Sequence, residues 1–195
     1  MTTAECIRQR VSCRRFQETP IPREDIRRVV DLARFSPSWK NTQPVRYIVI
    51  DDPALKERMA RECIPGQGFN TKTINRAAAL AVIAYVPGLS GQGDAPLTES
   101  QAAGWEMFDA GIAAQTFCLA ARDLGIGTCI LGIFDAGAAG RLLELEGYKV
   151  DMLTSNHRGI IDEGLKYVHN DTCYPALLVI GQLIDAIKHG GYDPH

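Results

Sequence analysis

The sequence predicts a layered domain of mixed helix and sheet, α/β or α+β in class, and three observations predict it. The chain has 195 residues and 46% hydrophobic content, which suits one compact domain with a sizeable core. Apolar residues recur at helical spacing, most clearly at Ile26, Val29, Val30 and Ala33. Short apolar runs bounded by turn residues read as strands over residues 45–50, 81–86, 128–131 and 176–180, interspersed with the helical patterns.

The elements follow in order. A first helix is expected over residues 3–10, then a basic stretch from Arg10 to Phe16. Pro22 falls in the first turn of the next helix, where a proline costs no hydrogen bond. Pro37 is expected to end that helix, and a loop from Pro37 to Pro44 leads to the first strand. A short helix over residues 53–61 precedes a glycine-bearing loop, Pro65 to Asn70, and the second strand. Pro87 to Pro96 holds three glycines and two prolines and reads as loop. The longest helix is expected from about Thr98 to Leu124, closed by Gly125. Its middle, Ala110 to Ala121, is small and apolar nearly all round, the pattern of a buried helix or a subunit interface. After the third strand, Asp135 is a good N-cap for a further helix. Residues 147–174 are polar and weakly patterned, and read either as a lid over the site or as an inserted surface excursion. The last strand leads into a short tail.

Composition narrows the function classes. A net charge of −2 with 23% charged residues gives no basic face of the kind nucleic acid requires. No run approaches the roughly 18 apolar residues of a membrane span, and Met1 to Arg10 has no apolar signal core, so a cytoplasmic protein is expected. Six cysteines, none spaced C-x-x-C, are read as reduced thiols.

Most familiar catalytic signatures fail. Gly125-Ile-Gly127 follows a helix, and Ile130 stands where a dinucleotide fingerprint needs its third glycine. Gly88-Leu-Ser-Gly91 is no nucleophile elbow, because Gln92 occupies the closing position. His157, His169, His189 and His195 lack ligand spacing, and no metal site is expected.

Two polar segments remain. Arg8, Arg10, Arg14 and Arg15 crowd around Ser12, and guanidinium forks suit phosphate oxygens; a solvated basic patch is the plain alternative. Ser38, Asn41 and Gln43 lie in a loop fixed by prolines at both ends. They suit the polar edge of a flat heterocycle, or else simply connect helix to strand.

Together these segments carry a resemblance. Arg10-x-Ser12-x-Arg14, Ser36-Pro-Ser-Trp-Lys-Asn-Thr-Gln-Pro44, Phe108-Asp-Ala-Gly-Ile-Ala-Ala-Gln115 and Gly125-Ile-Gly-Thr-Cys129, with Gly132 and Phe134, resemble the nitroreductase family of flavoproteins in order and rough spacing. The resemblance spans Arg10 to Gly181 apart from residues 147–174. It implies one α+β domain over residues 1–195, an α/β/α sandwich around a mainly antiparallel sheet. It further implies an intertwined homodimer with FMN at the interface and residues from both chains around it. The implied activity passes electrons from NADH or NADPH to a nitroaromatic, quinone or related small acceptor by a ping-pong mechanism. A flavin carrier or sensor without turnover, or a member specialised for deiodination or flavin breakdown, is the alternative. By motif position, Arg10 and Ser12, with Val11 between them, would hold the FMN phosphate, and Lys188 is the candidate to complete that site. Arg14 would lie by the pyrimidine end as an electrostatic stabiliser. Pro37, Ser38, Trp39 and Asn41 would contact the ring and ribityl chain, with Asn70 near the flavin. The backbone of Leu131 and Gly132 would face N5, where no titratable catalytic side chain is needed.

Overall fold

The computed structural model describes residues 1–91, 104–144 and 176–182. Helix α1 spans Thr3–Gln9 and α2 spans Arg23–Ala33; strand β1 is Val45–Ile50. Helix α3 (Pro53–Glu62) and α4 (Phe69–Arg76) lead to β2, Ala79–Tyr85. Helix α5 (Trp105–Asp123), β3 (Ile126–Leu131), α6 (Ala136–Leu142) and β4 (Ala176–Gln182) follow. The segment read as a lid or a surface excursion, residues 147–174, and the candidate phosphate ligand Lys188 lie outside the described residues.

The four strands form one sheet in the order β1-β2-β4-β3, and every neighbouring pair is antiparallel. The mixed helix-and-sheet class and the antiparallel sheet match the expectation. Strand β2 is buried at every position, so its alternate residues feed two cores. Leu80, Val82 and Ala84 pack with Met59 of α3, Ile74 of α4 and Ala139 of α6. Ala79, Ala81 and Ile83 pack with Ile26 and Val29 of α2 and with Ala113, Phe117 and Ala121 of α5. Phe117 is 1% exposed and stacks on Tyr47 at 5.6 Å between ring centroids.

Local chemistry explains the ends. Asp52 accepts the Leu55 N–H at 2.7 Å ahead of Pro53, and Asp135 accepts the Ala138 N–H at 2.8 Å, so both helices start on a side-chain cap. Helix α5 ends at Asp123, and Gly125 turns the chain at φ +76, a conformation that suits glycine.

Several boundaries differ from expectation. Arg10 is the cap of α1 and Pro22 the N-cap of α2, each one residue outside its helix. Helix α2 stops at Ala33, well before Pro37, because the Ser36 hydroxyl and backbone N–H both bond to the Ala33 carbonyl. Helix α5 begins at Trp105, after Gly104, and the expected start near Thr98 lies outside the described residues. Residues 69–76, of which Phe69 and Asn70 were expected in a loop, form α4, with Thr73 and Ile74 buried against the core.

Five cysteines, Cys6, Cys13, Cys63, Cys118 and Cys129, are free and buried. Burial pushes the Cys13, Cys118 and Cys129 thiols up and raises Cys63 from 9.0 to about 11. A raised folded-state value means that stability is whole below pH 9 and is lost as pH climbs from 9 through 11. The thermal midpoint should therefore fall across that window, and less steeply in Cys63→Ala. Equal slopes for the two proteins would contradict this assignment.

Candidate functional site

The site begins where α1 ends. Arg10 leaves the helix in an extended conformation, and its N–H still bonds to the Cys6 carbonyl at 2.9 Å. The chain then runs beside the free edge of β3. Ser12 pairs with Thr128 in parallel sense, and the Cys13 N–H donates to the Thr128 carbonyl at 2.8 Å. Arg10 and Val11 line a narrow cleft with Arg122, Gly127 and Thr128. Two arginines therefore border one small space. The positive charge reaches the interior: burial raises the Cys129 thiol, while Arg14 and Arg10 pull it down.

A second group gathers at the far end of β3. Leu131 is buried, and the chain emerges at Gly132, where no atom lies within 4 Å of the position a Cβ would take. The Asn70 amide donates to the Ile133 carbonyl at 3.4 Å. The Arg14 guanidinium stands 5.9 Å from the centroid of the Phe69 ring, and its Nη1 reaches the Ser12 carbonyl at 3.4 Å. Phe69 and Ile133 are 63% and 70% exposed, so this end offers apolar surface beside one charge and one amide. Arg10, Val11, Ser12, Arg14, Asn70, Leu131 and Gly132 thus lie along a single strand.

The remaining candidates gather elsewhere. Pro37, Ser38, Trp39 and Asn41 form a tight turn at the start of α5. The Ser38 hydroxyl accepts the Gln43 N–H at 2.8 Å, and the Asn41 side-chain oxygen accepts the Gln43 amide at 3.2 Å. These polar groups bond partly to one another. Lys40, Asn41 and Gln43 hold φ values of 44, 57 and 50, a left-handed region costly for side-chain-bearing residues unless surroundings impose it.

Asp109 imposes it. This carboxylate is 1% exposed and accepts the Trp39 N–H through both oxygens, at 3.2 and 3.1 Å. It also accepts the Ser90 hydroxyl at 2.6 Å. Ser90 has then spent its only hydrogen, so the Thr42 hydroxyl donates to it at 2.8 Å. The Trp39 ring packs on Trp105 at 4.5 Å, and Trp105 meets Phe108 edge-on at 5.4 Å. Sequence reasoning gave Asp109 no role. The signal was present: a lone carboxylate beside a small, apolar helix stretch needs a buried partner.

Much of helix α5 is covered by this chain's own core. Ala113, Ala114, Phe117, Cys118, Ala120 and Ala121 are already buried by this chain's own core. Met107 and Phe108 are exposed, 58% and 59%, and with exposed Gly111 and Gln115 they form a stripe at helical spacing. Among the described residues, no helix is long and apolar enough to cross a membrane.

A helix-and-sheet domain with an arginine-lined cleft at one end of a strand and an amide, a glycine and an exposed ring at the other defines a class that comparison specifies further. The Nitroreductase family model matches residues 7–155, and the chain belongs to that family. An Archaeoglobus fulgidus relative, named as an NADH dehydrogenase/NAD(P)H nitroreductase, is 31% identical over 133 residues, 67% of this chain and 68% of that protein. A nitroreductase family protein from Clostridium novyi has a similar fold, with a TM-score of 0.71 at 23% identity over 96% of this chain and 88% of the other. An Exiguobacterium sibiricum structure, described as a nitroreductase in complex with FMN, gives 0.69 at 19% identity over 99% and 91%.

Proposed function

We propose that the chain is an FMN-dependent oxidoreductase, passing electrons from NADH or NADPH to a nitroaromatic, quinone or related small acceptor in a ping-pong cycle. The observation that carries this reading is the alignment of Arg10, Ser12, Arg14, Asn70 and Gly132 along β3, charge at both ends and open backbone at one. Family membership and FMN-bound structural relatives support it. The donor set fits the cofactor. The guanidinium of Arg10 and the hydroxyl of Ser12, two positions apart on the segment beside β3, are donors of the kind a phosphate monoester takes, and the open space at Gly132 leaves the backbone accessible to a flat ring.

Bound FMN would supply two-electron chemistry between the nicotinamide donor and the acceptor. The chain's residues do the rest. Arg10 and Ser12 hold the phosphate. Arg14 places a fixed positive charge at the pyrimidine end, where it favours negative charge without a proton transfer. Asn70 and the Leu131–Gly132 backbone orient the ring. The turn Pro37–Asn41 stands apart from this group and is assigned to the cofactor held by a second chain. The α/β/α sandwich therefore works as an intertwined homodimer, with the exposed Met107–Gln115 stripe of α5 in the interface.

The test is anaerobic. Adding NADH or NADPH to the purified protein should bleach the visible flavin spectrum, and adding a quinone or nitroaromatic should restore it. A bound flavin that neither nicotinamide bleaches would overturn the oxidoreductase reading in favour of a carrier.

A further inference from the structure

Helix α4 brings its first two residues, Phe69 and Asn70, to the Gly132 end of β3. The helix itself is held by the core. Thr73 and Ile74 are 2% and 0% exposed, and the Thr73 hydroxyl donates to the Phe69 carbonyl at 3.0 Å. The Phe69 ring stands outside that core and is 63% exposed. What it meets is the Arg14 guanidinium, 5.9 Å from the ring centroid, within the roughly 6 Å over which a cation is drawn to a ring face. Arg14 has little else to hold it. Its Nη1 reaches the Ser12 carbonyl at 3.4 Å, long for a hydrogen bond. Among the described residues, no carboxylate pairs with it. A long exposed side chain without such a contact samples several rotamers, and its field at any one point is averaged and screened.

The geometry points to Phe69 as a positioning residue, whose ring holds the Arg14 guanidinium at the Gly132 end of β3 so that its charge acts on the bound flavin from a fixed place. This rests on the FMN reading above and on the role assigned there to Arg14, and names what fixes that charge. A phenyl face orients a guanidinium without neutralising it. A carboxylate partner would orient Arg14 as well, but would cancel the field that favours electron uptake. Asn70, the next residue, reaches the Ile133 carbonyl at 3.4 Å, so the charge and the 131–133 backbone are referred to one support.

The experiment measures the reduction potential of the flavin-loaded, full-length protein by equilibration with redox dyes, with the KM for a quinone read beside it. Wild type, Phe69→Leu, Phe69→Tyr, Arg14→Ala and the double variant Arg14→Ala/Phe69→Leu are compared. Leucine keeps apolar bulk and loses the ring face; tyrosine keeps the face. A cation–ring contact at an exposed site corresponds to about two- to fivefold in an equilibrium constant. Phe69→Leu should shift the ratio of reduced to oxidised flavin at a fixed ambient potential by that factor, towards oxidised, in the same direction as Arg14→Ala and by less. Phe69→Tyr should match wild type. With Arg14 already replaced, Phe69→Leu should add nothing. An unchanged ratio in Phe69→Leu, or the same shift whether Arg14 is present or replaced, overturns the proposal. So does a changed quinone KM with an unchanged ratio, which makes the ring an acceptor contact instead. If Arg14→Ala leaves the ratio unchanged, the proposal falls with the role of Arg14 while the FMN reading stands. A wild-type protein that binds no FMN overturns both.

Discussion

Replacing Asp109 by alanine should destabilise the protein by about 3 kcal/mol, because it removes a buried carboxylate that accepts from two separate donors. The Trp39 N–H loses both carboxylate oxygens, and the Ser90 hydroxyl loses the carboxylate and is left with the Thr42 hydroxyl. Asp109 is 1% exposed, so water does not replace what is removed without opening the structure. The loss should concentrate at the turn, where three residues hold left-handed backbone. Asp109→Asn keeps one acceptor oxygen but presents an amide to a donor, and it should fall between wild type and alanine. Urea unfolding gives the stability. Flavin affinity, measured beside it, should fall further than in a control core variant of equal stability, because the turn is assigned to the cofactor. A change under about 0.5 kcal/mol, typical of ordinary surface positions, would contradict the role given to this carboxylate.

The second large effect separates the two arginines of the basic segment. Arg10→Ala should weaken FMN binding by about tenfold to a hundredfold, the range for loss of a charged hydrogen bond, and should leave the potential of the flavin still bound little changed. Arg14→Ala should do the reverse. Its guanidinium lies by Phe69 and the Gly132 end of β3, away from the cleft that Arg10 lines. Removing it should lower the reduction potential and slow reduction by NADH or NADPH, with affinity nearly intact. Fluorescence titration and equilibration with redox dyes report the two quantities independently. Matching phenotypes in the two variants would show that the division of labour along β3 is wrong.

What the sequence made legible follows from which signals are local. Strand β1 was readable to the residue, since a β-branched run lies between Pro44 and the acidic pair Asp51-Asp52 that caps α3. Strand β2 was read two residues late because Ala79 and Leu80 lack the β-branched signature. Helix α4 was invisible: Gly66 and Gly68 mark a turn, and Asn70, Thr71, Thr73 and Asn75 are weak helix formers. Packing of Thr73 and Ile74 against the core overrides that preference. The residues near β3 were found through spacing in the chain and their resemblance to a family. Asp109 was not, because its importance lies in a partner 70 positions away. No local pattern encodes such a pair.

The Arg10–Ser12 end of the site is assigned to a flavin mononucleotide. Heat release of the flavin from purified protein, followed by chromatography against authentic FMN, FAD and riboflavin, tests it most directly. FMN is the predicted result. FAD, or no flavin after reconstitution with FMN, would contradict the account.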